Sequence, residues 1–349
     1  MKRCPENPLI RPDTVRPSAP EYRVRGAFNP GAVRFGDEIL LLLRVAEDCV
    51  APAGAIAVPF ARFGGGAGGR PDVLTVSRDD PDLEIHDSRG LLYRGNRYLS
   101  TMSHIRLARS PDGVRFTVDE EPFMFPAVPG EEFGVEDARV VEIDGAYYIN
   151  YTSVSGDGWA TSLAVTRDFR TIERLGTIFH PENKDVALFP RPHGGLYRTF
   201  HRPNNSFGKP SIWYAESPDL RHWGNHRCVL RPRPTRWEAK KIGGGAPALE
   251  TADGWLHVYH GKGADDAYSL AVLLLDREHP YRILRQSVEP VLVPETDYER
   301  RGFFGNVVFT NGIVPVGDGR LLVYYGAADE STCLAESSVE ELLDATRSV

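Results

Sequence analysis

Five times along the chain a run of strand-forming residues reaches a glycine-containing turn and is answered by a second such run. In EDARVVEIDGAYYINYTS, residues 136–153, Val140, Val141, Ile143, Tyr147, Tyr148 and Ile149 flank Asp144-Gly145, a two-residue hairpin signal. NPGAVRFGDEILLLLRV (29–45), KDVALFPRPHGGLYRTFHRP (184–203), GGGAPALETADGWLHVYHG (243–261) and NVVFTNGIVPVGDGRLLVYYGAAD (306–329) repeat the pattern. Further strand pairs follow in IRLARSPDGVRF, SLAVTRDFRTIERL, SIWYAESPDLRHW and SLAVLLLDREHPYRIL. Four strands per unit, with heads near residues 29, 136, 185, 245 and 306, predict an all-β chain folded as a five-bladed β-propeller. The first interval is too long for one blade, which predicts an insertion within blade one at about residues 50–100. The expectation is a single domain over 1–349, with helical periodicity only in SSVEELLDAT near the C-terminus.

Composition narrows the partners. A formal charge of −7 without any basic run argues against nucleic acid. The N-terminal MKRCPENPLIRP has no apolar stretch after its cations, and the longest apolar runs, such as Ile39 to Leu43, have strand length. The expectation is therefore no membrane partner and a cytoplasmic location. Cys4, Cys49, Cys228 and Cys333 lie far apart without ligand spacing, so no metal is expected. P-loop and zinc-protease patterns are absent, and GGGAGG at 64–69 reads as a loop because no lysine or helix start follows it.

In an antiparallel hairpin, the start of the first strand and the end of the second lie at the same end. Five radial blades would bring five such mouths to one face. The mouth residues are Asn29 and Arg44; Glu136, Asp137 and Thr152; Lys184, Asp185, His201 and Arg202; Lys241, His260 and Gly261; Asn306 and Asp329. Alone, Asp137 reads as a strand-end carboxylate accepting backbone bonds or pairing with Arg139. Among polar neighbours it also reads as a general acid for glycosidic cleavage. Lys184, Arg202, Lys241 and His260 are separately ordinary surface charges, but together they would repel unless an anion sits among them. A fork-shaped arginine with point-charge lysines suits phosphate. Tyr268 and Phe309 suit stacking on a sugar, whereas Phe303, Phe304 and Tyr325, with Trp223, Trp237 and Trp255, read as structural. Asp87-Ser88-Arg89 in the insertion either reaches over the pocket or forms a salt-bridged loop.

These residues resemble glycoside hydrolase family 130, the β-mannoside phosphorylases and related β-mannosidases, from about Asn29 to the C-terminal region. The markers are FNPGAV, GVEDARVVEIDGAYYINYT, NKDVALFP with HRP, KIGGGAP with GWLHVYHG, and NVVF with YYGAAD. The resemblance implies a five-bladed propeller and an inverting single displacement on β-1,2- or β-1,4-linked manno-oligosaccharides. Inorganic phosphate is the implied co-substrate, no cofactor is needed, and α-mannose 1-phosphate is the product. Asp137 matches the general acid, its proton passing through the mannosyl O3 hydroxyl. Lys184, Arg202, Lys241 and His260 match phosphate-binding positions; Asn29, Arg44, Phe309 and Asp329 match positions that hold the mannosyl unit. Lys184 replaces an arginine of some members and Asp185 an asparagine, so Asp185 is expected to hydrogen-bond the sugar or orient a lysine. Glu136 is read as a sugar contact or a support for one. Hydrolytic members lack the basic set and activate water with a carboxylate, for which Glu238 is the first candidate here. A sugar-binding propeller without catalysis remains an alternative; an arabinan- or fructan-cleaving enzyme needs three mouth carboxylates instead of a basic cluster and fits this sequence poorly. Family members are often oligomeric, so a homo-oligomer is compatible.

Overall fold

The computed structural model describes residues 1–64, 68–87, 90–204 and 206–349. It is an all-β fold in which each expected hairpin forms. Tyr22–Phe35 pairs antiparallel with Glu38–Cys49, Gly134–Ile143 with Ala146–Ser155, and Asn183–Leu188 with Tyr197–Pro203. Lys241–Gly244 pairs with Gly254–Lys262, and Val308–Pro315 with Arg320–Ala327. The outer strands then follow: Met102–Ser110 with Thr117–Val118, Gly158–Thr166 with Glu173–Phe179, Ile212–Ser217 with Gly224–Leu230, and Tyr268–Leu275 with Ile283–Ser287.

The chain ends complete two units in a way the repeat did not foreshadow. Lys2–Arg3 pairs with Ser331–Ser338, at the outer side of the fifth hairpin, and Thr346–Ser348 pairs with Ile283–Ser287 of the fourth. Arg3 is anchored there by Glu299, its Nε 2.8 Å from Oε1. The expected C-terminal helix is Val339–Asp344, opened by Ser338, whose hydroxyl accepts the Glu341 amide at 3.1 Å.

The insertion forms two small sheets, Ala55–Arg62 with Arg70–Ser77, and Leu83–Asp87 with Gly90–Tyr93 and Asn96–Leu99. Ser88 and Arg89, expected as a reach over the pocket or a loop, lie outside the described residues, as does much of the glycine run.

Neighbouring units touch through single parallel bridges, Gly31 to Asn311 between inner strands and Gly134 to Ser103 between an inner strand and the third strand of the first unit. The glycine side of each crossing has no room for a side chain. Gly134 has φ of 124°, and a Cβ there would stand 2.4 Å from the Ser103 carbonyl oxygen. Apolar side chains of adjacent units fill the space between sheets. Leu40, Leu42 and Ile105 of the first unit pack with Val135, Val140 and Ile149 of the second, all essentially without exposure.

Candidate active site

The inner strands carry a repeated irregularity that aims side chains into one cavity. Register shifts occur between Phe28 and Gly31, between Glu136 and Arg139, and between Lys184 and Ala187. At the corresponding step of the three strands stand Asn29, Asp137 and Asp185, with φ of 47°, 49° and 52°. Left-handed backbone disfavours most side chains but is tolerated by Asn and Asp, and a bulge redirects the residue it carries. The Asn-Pro, Glu-Asp and Lys-Asp pairs at the strand heads are thus local solutions to one backbone demand. Asp329, with φ of 50°, ends the last hairpin at the same mouth.

The result is a cavity of about 190 Å³ lined by Asn29, Arg44, Asp137, Lys184, Asp185 and Arg202 on one arc. Lys241, His260, Tyr268, Phe304, Val307, Phe309 and Asp329 complete it. Every predicted site residue except Glu136 lines it. Glu136 instead accepts from Arg44 Nη2 at 2.7 Å and faces an adjoining cavity of about 370 Å³ that also touches Lys184 and Trp159.

Asp137 accepts from Asn29 Nδ2 at 3.0 Å and from Arg44 Nη1 at 3.1 Å. Burial works to raise its pKa, but Arg44, Lys184, the Asn29 bond and Arg139 outweigh it and hold the carboxyl below the usual range. Asp329 behaves oppositely: burial, reinforced by Asp137 and Glu136, pushes it up to about 6 against the pull of Arg44 and Lys184. Two carboxylates in one cavity are therefore driven apart in proton affinity.

Around Asp185 lie Arg202 Nε at 2.6 Å, Arg139 Nη2 at 3.4 Å and His260 Nε2 at 3.4 Å. Burial opposes ionisation of Asp185, yet Arg202, His260 and Arg139 hold its carboxyl well below the ordinary range. Burial pushes His260 down to about 4, against the favourable effect of Asp185, so its ring is neutral at neutral pH. Lys241 is pushed down to about 7 by burial and by Arg202 and Lys184 nearby. The His260 ring packs on Phe309 at 4.4 Å between centroids, and Lys241 Nζ lies 5.2 Å from the Tyr268 centroid.

Several mouth residues do not reach the cavity. His201 stacks on Phe179 at 4.5 Å and contacts Asn183 and His226, making it part of the wall behind. Thr152, Gly261 and Asn306 are also absent from the lining. Glu238, the expected water-activating candidate, is wholly buried elsewhere, paired with Arg233 and accepting from the Tyr259 hydroxyl at 3.1 Å.

Arg139 was read only as a partner for the Asp137 carboxylate and has a larger part. It donates to the Gly244 and Gly245 carbonyls at 2.9 and 2.7 Å, tying the second unit to the fourth behind the cavity. A cation two residues past Asp137 at the head of an inner strand was its sequence signal. Phe304, read as structural from the sequence, and Val307, part of the NVVF run but not singled out, also line the cavity. Among the described residues no group of three or more His, Cys, Asp or Glu is arranged to hold a metal ion, and no helix is long and apolar enough to cross a membrane.

Residues 75–348 match the family model for glycoside hydrolase family 130, described as β-1,4-mannooligosaccharide phosphorylase. The chain is 41% identical over 346 residues to a β-1,2-mannobiose phosphorylase of Listeria innocua, spanning 98% of this chain and 97% of that protein. It is 32% identical over 251 residues to a β-1,4-mannooligosaccharide phosphorylase of Ruminococcus albus, spanning 68% and 75%. The solved Listeria innocua β-1,2-mannobiose phosphorylase in complex with β-1,2-mannobiose superposes with a TM-score of 0.92 at 39% identity, covering 99% of this chain and 98% of that one. With the family model covering most of its length and a relative aligned along nearly all of it, the chain belongs to glycoside hydrolase family 130.

Proposed function

We propose that the cavity at the hairpin mouths is the active centre of an inverting phosphorylase that cleaves β-mannosides with inorganic phosphate and yields α-mannose 1-phosphate. The observation that carries this reading is the charge layout. Asn29, Arg44 and Asp329 gather about Asp137, while Lys184, Arg202, Lys241 and His260 gather beside them in the same cavity. The first group suits a sugar hydroxyl array and a proton donor, and the second suits a phosphate dianion. The relative named for β-1,2-mannobiose aligns along nearly the whole chain, which favours the 1,2-linkage over the 1,4-linkage.

In this reading the mannosyl unit is held by Asn29, Arg44 and Asp329 against Phe309, with Tyr268 beside it. Phosphate oxygen bonds to the anomeric carbon as the bond to the leaving sugar oxygen breaks. Asp137 supplies the proton to that oxygen by way of the O3 hydroxyl. The resting pocket keeps Asp137 ionised, so the proton must be loaded. A phosphate dianion offsets the positive field of Lys184 and its neighbours and lets the carboxyl take it up.

We read the five hairpin units as five blades of one domain over 1–349, with the insertion at about 50–100 in the first. Convergence of their mouths on one cavity supports this. The four unpaired cysteines support a cytoplasmic setting. Proton NMR of the first product formed tests the displacement: α-mannose 1-phosphate is expected, and the β-anomer would overturn it.

A further inference from the structure

Asp185 puts a carboxylate among the cations assigned to an anion, and the hydrogen-bonding capacity around it is uneven. Arg202 Nε and Nη1 are buried without a hydrogen-bond partner, although Nε lies 2.6 Å from Asp185 Oδ2. Asp185 Oδ2 is likewise buried without a well-aligned hydrogen bond, with Arg202 Nε at 2.6 Å and Nε2 of the neutral His260 ring at 3.4 Å. Asp185 and Arg202 are each only 2% exposed, and both line the cavity. The wall is cut to admit this carboxylate: a Cβ on Gly243 would stand 2.3 Å from Oδ2 and 2.6 Å from His260 Cε1.

The Asp185–Arg202 pair thus offers two unspent donors and one unspent acceptor, all buried. An anion that only accepts satisfies the donors but sets an oxygen lone pair against the carboxylate, which costs both repulsion and an unmet acceptor. An anion carrying one proton satisfies all three. Its unprotonated oxygens take Arg202 and the lysines, and its O–H donates to Asp185 in a charge-assisted bond. Phosphate and arsenate hold such a proton near neutral pH, and sulfate does not.

We propose that Asp185 Oδ2 accepts the hydroxyl proton of hydrogen phosphate and thereby makes the anion site select protonated tetrahedral oxyanions over sulfate. This rests on the phosphorylase reading and names the form of phosphate that the site takes. The bound proton stays on its phosphate oxygen during the displacement and is distinct from the one Asp137 delivers. Rejection comes from the carboxylate, so it is a specificity built against a wrong anion as well as for the right one.

The test is competition by sodium sulfate in the phosphorolysis of β-1,2-mannobiose, with Asp185→Asn alongside. For the wild type the sulfate inhibition constant should exceed the phosphate KM by at least about tenfold, and in Asp185→Asn that ratio should fall by about tenfold or more. Equal competition by sulfate in the wild type, or an unchanged ratio in a folded Asp185→Asn, would overturn the proposal. Should the variant fail to fold, wild-type melting shifts decide. Phosphate and arsenate should raise Tm at concentrations where sulfate does not, and equal shifts from all three would refute it. These shifts need no turnover, so a chain without phosphate-dependent activity would refute the phosphorylase reading while the role of Asp185 is still judged by binding.

Discussion

Arg44 Nη1 lies 3.1 Å from Asp137 Oδ1, which rests the proposed proton donor against a cation that never titrates. A donor so placed is ionised until another charge changes. If phosphate supplies that change, the group that must be protonated loses its proton at higher pH when phosphate is bound. The alkaline limb of the rate profile should then lie higher at saturating phosphate than at trace phosphate, by about one pH unit. Initial rates from pH 5 to 9 at both concentrations measure this, and coincident limbs would separate phosphate from the loading of Asp137.

Replacing the carboxyl while keeping its shape isolates the proton. Asp137→Asn suits the left-handed backbone, so its Tm should stay close to wild type. Its kcat should fall by about a hundredfold to ten-thousandfold. A variant retaining a tenth of the activity would place the proton donor elsewhere in the cavity, with Asp329 the first residue to test.

Lys241 gives the phosphate site its own pH dependence. Burial and the neighbouring Arg202 and Lys184 push it down to about 7, so it is charged below that value and neutral above it. The kcat/KM for phosphate should decline as pH rises through about 7. Lys241→Arg keeps its charge throughout and should remove that component, while phosphate's own ionisation affects both proteins alike. Parallel profiles would show that Lys241 does not titrate in this range.

The closure made by the N-terminal strand should be visible in stability. Glu299 has no exposure and binds Arg3 at two points, 2.8 and 3.0 Å, along with the Tyr325 hydroxyl. Arg3→Ala removes the only cation paired with this carboxylate among the described residues but leaves its bonds from Tyr325 and the 295 and 296 amides, and should destabilise the fold by about 1–3 kcal/mol in denaturant titration. Burial tends to raise the Glu299 pKa, but bonds from Arg3, the 295 and 296 amides and Tyr325 lower it overall. A lowered folded pKa stabilises above the unfolded value, about 4.3, and that contribution is lost as pH falls through the folded value. The wild type should therefore lose stability in acid more steeply than Arg3→Ala.

What could be read from the sequence was what repeats. Alternating apolar runs around Gly-Asp and Asp-Gly turns located the inner hairpins, and position at the hairpin mouths then singled out Asn29, Asp137, Asp185 and Lys241. Spacing alone could not say which mouth residues face inward. His201 is one residue from Arg202, and strand alternation turns one to Phe179 and the other to Asp185. The bulge at Glu136–Arg139 breaks that alternation, which is why Asp137 enters the cavity while Glu136 stays beside Arg44. Lys2–Arg3 was invisible as a strand because two residues carry no periodicity; only its partner strand defines it. Phe304 was read as structural and Val307 was missed because tertiary packing, not a local pattern, places them in the lining.

The central claim is that the basic cluster exists for phosphate as a reactant. Incubating β-1,2-mannobiose with the protein, with and without inorganic phosphate, and quantifying mannose and mannose 1-phosphate tests it most directly. The predicted result is one mannose and one mannose 1-phosphate per disaccharide, only when phosphate is present. Free mannose released equally in both reactions, without mannose 1-phosphate, would contradict the account.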